Sequence, residues 1–194
     1  QSKADLICLS TDDCIFYRKL PSSAKEEIIA AVDDKTIGFS LRLGLNTITQ
    51  DYRTNEKQPP LLRYETLSDN AIRWRWIERH PLSNYGYCSA QDCQIYKTEV
   101  LRYMIESLSF QSMRELEGKF SLDWRYKLHS WPKMASFRQS CVFSDPINNV
   151  QPGLYSSEKV GISTTELNEE FLKGRRLSLD KMQLQNITGC HQEV

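Results

Sequence analysis

The chain has 194 residues, with 25 Lys+Arg against 25 Asp+Glu, 40% hydrophobic residues, 8 Gly and 7 Pro. Zero net charge excludes a global field for collecting nucleic acid or anionic lipid, and the apolar content excludes a disordered or low-complexity chain. Apolar runs fall far short of the ~20 residues that cross a bilayer, so the expectation is a protein partner met locally in water, with no nucleic acid and no membrane span.

Six cysteines punctuate the sequence as Cys8 and Cys14, Cys88 and Cys93, then Cys141 and Cys190. An even number at these spacings reads as a disulfide framework in which neighbours pair and Cys141–Cys190 ties the C-terminal segment back to the body. Only Cys88 and Cys93 fit the spacing of paired zinc ligands, and His80, His129 and His191 do not complete a set, so no metal and no cofactor is expected. Disulfides imply an oxidising compartment, periplasmic or extracellular. The opening Gln-Ser-Lys-Ala-Asp fits a mature N-terminus left after signal-peptide removal.

After the first cysteine pair, Ser23-Ala24-Lys25-Glu26 has the form of a capping box, and Ile28, Ile29 and Val32 recur at helical spacing, predicting a helix to about Asp34. The period then becomes two: Ile37, Phe39, Leu41, Leu43 and Leu45 alternate with polar or small residues, as in a half-buried strand. Residues 61–67 and 71–79, joined by Ser68-Asp69-Asn70, read as an antiparallel hairpin. Its second strand turns Ile72, Trp74 and Trp76 to one face and Arg73, Arg75 and Ile77 to the other. A further hairpin is expected over 85–96, with Cys88 and Cys93 at its tip.

Residues 98–110 carry Val100, Leu101, Met104, Ile105 and Leu108, the pattern of an amphipathic helix. Alternation from Gly118 to His129 predicts another strand. The stretch 131–160 reads as less regular, with one short strand over 137–143. Order resumes at a second capping box, Ser163-Thr164-Thr165-Glu166, with Gly174 as a stop and a short helix over 177–185. These elements describe an α+β fold in a single domain, 1–194: an antiparallel sheet of about five to seven strands, helices packed on one face, stapled by disulfides, with the helical part 163–190 tied back.

Two tryptophans on one strand face and two arginines on the other do not make the mixed surface that stacks single-stranded nucleic acid. The tryptophans read as core. Arg63, Arg73, Arg75 and Arg79 read as an exposed strip for an acidic protein partner, joined by Tyr85, Tyr87 and Trp131 on nearby turns. The sequence lacks G-x-S-x-G, a phosphate loop and an acidic calcium loop, and Asp12-Asp13, Asp33-Asp34 and Glu169-Glu170 are adjacent residues that do not face one another. The expected function is an exported, non-enzymatic binding protein of the inhibitor or immunity type. The alternative is a small exported hydrolase with a non-contiguous Ser/His or carboxylate site, using His80 or His129. A third reading is an intracellular RNA-binding module.

Overall fold

A computed structural model describes residues 5–51, 55–123, 125–144, 163–176, 178–182 and 184–192. In chain order the elements are β1 (Leu6–Leu9), β2 (Cys14–Phe16), α1 (Ala24–Ala31), β3 (Thr36–Ser40), β4 (Thr49–Asp51), β5 (Glu56–Lys57), β6 (Glu65–Thr66), β7 (Ala71–Arg75), β8 (Gln94–Lys97), α2 (Thr98–Ser107), α3 (Met113–Gly118), β9 (Lys133–Phe137), β10 (Val142–Ser144) and α4 (Thr164–Leu172). Six strands join in the order β1-β8-β3-β9-β7-β6, while β10 pairs with β2 and β4 with β5 in two small ribbons. Strand β9 runs parallel to β3 and the remaining neighbours are antiparallel, so the sheet is mixed rather than antiparallel. The parallel contact follows from connectivity: the chain leaves the sheet after β8, passes through α2 and α3, and re-enters beside β3.

Helices cover both faces of the sheet, not one. On the first face, Ile37, Ile72, Trp74, Tyr96 and Met134 pack with Val100, Leu101 and Met104 of α2 and Leu116 of α3. On the second, Phe39, Ala71, Ala135 and Phe137 pack with Ala24, Ile28, Ala31 and Val32 at α1. The rings of Phe39 and Phe137 meet edge-to-face at 4.8 Å, a favoured aromatic geometry. Gly38 lies where an added Cβ would stand 2.4 Å from the Ile95 carbonyl, so glycine is required for β3 to approach β8 this closely.

The two faces explain why the expected disulfides do not form. None of the six sulfurs lies at bonding distance from another. Cys88 and Cys190 sit in the first cluster, whereas Cys93 and Cys141 sit in the second, so the sheet separates the members of Cys88–Cys93 and of Cys141–Cys190. Cys8 belongs to β1 and Cys14 to β2, which pair with different strands. The C-terminal segment is tied back by backbone hydrogen bonds instead: Ser144 N–H donates to the Cys190 carbonyl at 2.8 Å, Gln192 N–H to Ser144 at 3.0 Å, and Thr49 N–H to Thr188 at 2.9 Å.

Several elements differ from their sequence signals. The hairpin at 65–75 and the helix from Thr98 form, both shorter than read. Ser23 caps nothing; its hydroxyl donates to Glu27, whose carboxylate also accepts from Ser68 and Asn70. The 85–96 hairpin is replaced by a single turn, Asn84–Gly86, and by β8. Gly118–His129 is not a strand: α3 continues into a π-helical stretch, Lys119–Asp123, and a turn, Arg125–Leu128. Leu116 and Phe120, four apart, are buried there while Leu122 and Tyr126 are exposed, the period of a helix rather than of a strand. Within 131–160, β9 is a central strand; residues 145–162 lie outside those described. The Ser163–Glu166 capping box forms, and α4 ends at Leu172, two residues before Gly174, which takes φ +84°. No helix among the described residues is long and apolar enough to cross a membrane.

Candidate functional site

Strand β1 lies at the end of the sheet and pairs only with β8. Thr98 N–H donates to the Asp5 carbonyl, which fixes the ladder: Asp5, Ile7 and Leu9 exchange bonds with β8, and the N–H and C=O groups of Leu6 and Cys8 point away from it. Among the described residues no backbone group bonds to that outer edge. The strand sequence, Leu-Ile-Cys-Leu, carries none of the charged or proline residues that ordinarily guard an edge.

Alongside this edge runs an open groove of about 1240 Å³ between β1, β8 and α1. It exists because α1 has only 8 residues and covers one end of its face. Leu6, Leu20, Pro21, Ile28, Ile29, Val32 and Ile95 form its apolar lining, Cys8 opens onto it, and Asp5, Lys25, Asp34, Lys97, Glu99 and Arg102 rim it. Ile29 is 56% exposed and Leu20 41%. At the rim, Lys97 Nζ lies 2.7 Å from Asp34 and 3.9 Å from Glu99.

Beyond Cys8 the chain turns through 10–13 to a polar cluster. Cys14 Sγ stands 3.2 Å from Thr11 Oγ1 and 3.7 Å from Ser144 Oγ, and the side chain packs against the core cluster that contains Cys93. The Cys93 contact, followed by Thr11 and Ser144, outweighs burial and lowers the Cys14 thiol well below the ordinary range; Cys93, sharing the proton, is raised. Burial chiefly raises Cys8. Thr11 Oγ1 also donates to Asp92 at 3.2 Å. Asp92 is bonded at 2.9 Å by Arg42, which is 3% exposed, and His191 Nε2 lies 3.2 Å from the same guanidinium nitrogen. Burial pushes the nearby Glu117 carboxyl up to about 7, against the attraction of Arg42. Among the described residues, no three His, Cys, Asp or Glu side chains are grouped to hold a metal ion.

The residues singled out in the sequence are distributed elsewhere. Arg73 is held by Asp33 and Glu65, and Arg75 by Glu78. Arg79 donates to the carbonyl of exposed Arg63 at 3.3 Å. Arg63 and Arg79 thus lie together, while Arg73 and Arg75 are neutralised within the molecule. Tyr85 is 2% exposed and packs its ring on Trp74, its hydroxyl donating to the Gly44 and Thr47 carbonyls. Tyr87 is half-buried near Glu117. Trp131 packs on Tyr103 and accepts from the Trp76 indole N–H at 2.6 Å. Tyr85 and Trp131 thus pack at the first core and present no exposed surface beside Arg73 and Arg75. His80 accepts a turn N–H from Leu82, and His129 is exposed.

Sequence reasoning missed Arg42, Asp92, Glu117 and His191. Alternation put Arg42 on a solvated face, but the chain leaves β3 after Ser40 and carries Arg42 inward. The one signal available was that an Asp precedes both Cys14 and Cys93. In comparisons with known proteins, no protein family matches the chain, and neither a curated protein nor a solved structure is similar enough to match it.

Proposed function

We propose that this chain is a non-enzymatic binding protein that takes up an extended segment of another protein as an added strand on β1. The observation that carries the reading is the uncharged edge strand, whose outward N–H and C=O groups at Leu6 and Cys8 run beside an apolar groove. Main-chain bonds to an open edge give affinity, and pockets for alternate side chains give specificity. The partner segment would place apolar side chains toward Leu6, Ile29 and Ile95, with charges of both signs to meet the rim. An exported setting, periplasmic or extracellular, belongs to the same proposal; an inhibitor or immunity-type role follows if capture of the segment silences its owner.

The test uses arrays of short peptides of alternating apolar and polar residues. Binders should slow amide exchange at Leu6 and Cys8, and Ile29→Glu should weaken them at least tenfold without moving the denaturation midpoint, because Ile29 is exposed. Protection confined to other strands, or full affinity in Ile29→Glu, would refute the groove. Peptides recovered cleaved would instead establish the hydrolase alternative.

A further inference from the structure

Three sulfurs converge from separate places in the chain: Cys8 on β1, Cys14 opening β2, and Cys93 in the turn before β8. They differ in access, Cys8 being exposed, Cys14 half-buried and Cys93 fully buried. Cys14 packs against the core cluster that contains Cys93, and Thr11 Oγ1 lies 3.2 Å from both the Cys14 sulfur and the carboxylate of Asp92, the residue before Cys93. Thr11 supports the first at 3.2 Å and Ser10 the second at 3.3 Å. Cys93 is held at φ +50°, a left-handed conformation that is costly for any residue bearing a Cβ and that tends to persist at functional positions. Its turn is fixed from both sides: the Cys93 carbonyl accepts from Leu41 N–H at 3.1 Å, and the preceding Asp92 is clamped by buried Arg42. Strain, a rigid support and a half-exposed sulfur backed by a buried one are the parts of a dithiol in which one thiol attacks and the other resolves.

We propose that Cys14 and Cys93 form a thiol–disulfide exchange site, with Cys14 as attacking sulfur, Cys93 as resolving sulfur, and a small-molecule disulfide of the glutathione class as oxidant. The Cys14 thiolate attacks one sulfur of the oxidant, forming a mixed disulfide as the oxidant's S–S bond breaks and its other half leaves as thiolate, which takes a proton. Cys93 then loses its proton and attacks the Cys14 sulfur; the mixed disulfide breaks and the second half leaves as a thiol. Two thiols of the protein are oxidised to one disulfide, and one oxidant is reduced to two small thiols. The two sulfurs are held by adjacent residues of one turn, Ser10 and Thr11, and the ~2 Å bond forms as their side chains swing toward each other. The lowered proton affinity of Cys14 supplies the thiolate at neutral pH. This assignment stands independently of the groove.

The experiment treats the reduced full chain with oxidised glutathione, blocks remaining thiols by alkylation and maps the disulfides by peptide mass. Cys14–Cys93 is expected as the predominant intramolecular bridge. Cys93→Ser should trap one glutathione on Cys14, and Cys14→Ser should leave Cys93 unmodified. A predominant bridge that includes Cys8, Cys88, Cys141 or Cys190 overturns the assignment. A second measurement needs no variant: at about pH 6.5, iodoacetamide should label Cys14 at least tenfold faster than the more exposed Cys8. Equal rates, or faster labelling of Cys8, overturn it as well.

Discussion

Glu117→Gln tests the electrostatics of the cluster that holds the Cys93 turn. Glu117 sits in the last turn of α3, where burial dominates and Arg42, Asp92 and the Gln91 backbone N–H act on the carboxyl. Its pKa rises from an ordinary 4.5 to about 7. Between those limits the native state keeps a proton that the unfolded chain has lost. Its contribution to stability is therefore fully present below about pH 4.5 and is lost as pH rises through about 7. At ~1.4 kcal/mol for each tenfold change in proton affinity, the full rise is worth about 3 kcal/mol, which solvent reaching the half-buried carboxyl trims to about 1–2 kcal/mol. Glutamine keeps the shape and cannot ionise. The stability of the variant relative to wild type should therefore increase by about 1–2 kcal/mol from pH 4.5 to 7.5, read from urea denaturation at intervals across that range. Asp13, raised by burial, and Cys14, lowered by its neighbours, titrate in both proteins and cancel in the difference. Parallel wild-type and variant curves would refute the buried-carboxyl reasoning.

Arg73→Gln should cost about 1–2 kcal/mol, because the side chain is 12% exposed and bridges Asp33 and Glu65, and it should leave peptide binding unchanged; a tenfold loss of binding would return the arginine strip to the interface. Thiol titration in denaturant of the protein drawn from its source cell should find four reactive thiols, the six cysteines less the Cys14–Cys93 pair. Six reactive thiols would count against an exported setting.

What the sequence revealed was local and one-sided. The Trp74 and Trp76 face, the helix from Thr98 and the Ser163–Glu166 cap each rest on a pattern within a dozen residues, and each survives in the structure. The strand over 118–129 failed because alternation and helical spacing overlap in a short aromatic-rich run. The signal that could have decided it was Ser112 three residues before Glu115, and Ser112 does accept the Glu115 N–H. Cysteine pairing was illegible for a different reason. Proximity in sequence says nothing about which face of a sheet a residue will occupy, and Cys88 and Cys93 end on opposite faces although only four residues separate them. The candidate groove was invisible for the same reason: it depends on β1 finding β8, a pairing across more than eighty positions.

Charge neutrality acquires a structural meaning once the ion pairs are placed. Arg42 is committed to Asp92, Arg73 to Asp33 and Glu65, Lys133 to Glu65, and Lys97 to Asp34. Arg73, read from the sequence as available to an acidic partner, instead helps to fix the end of α1 to the sheet, and Arg42 fixes the Cys93 turn. Fields from such pairs fade within about a Debye length, ~8 Å at physiological salt, so they provide little long-range steering. On the proposed reading, affinity comes from groups that folding leaves unmatched on the surface. The outward N–H and C=O groups of β1 and the apolar lining around Ile29 are such groups, and they lie side by side. The absence of charge on Leu-Ile-Cys-Leu, which in an unpartnered edge would invite aggregation, is consistent with a strand that is covered when the protein is at work.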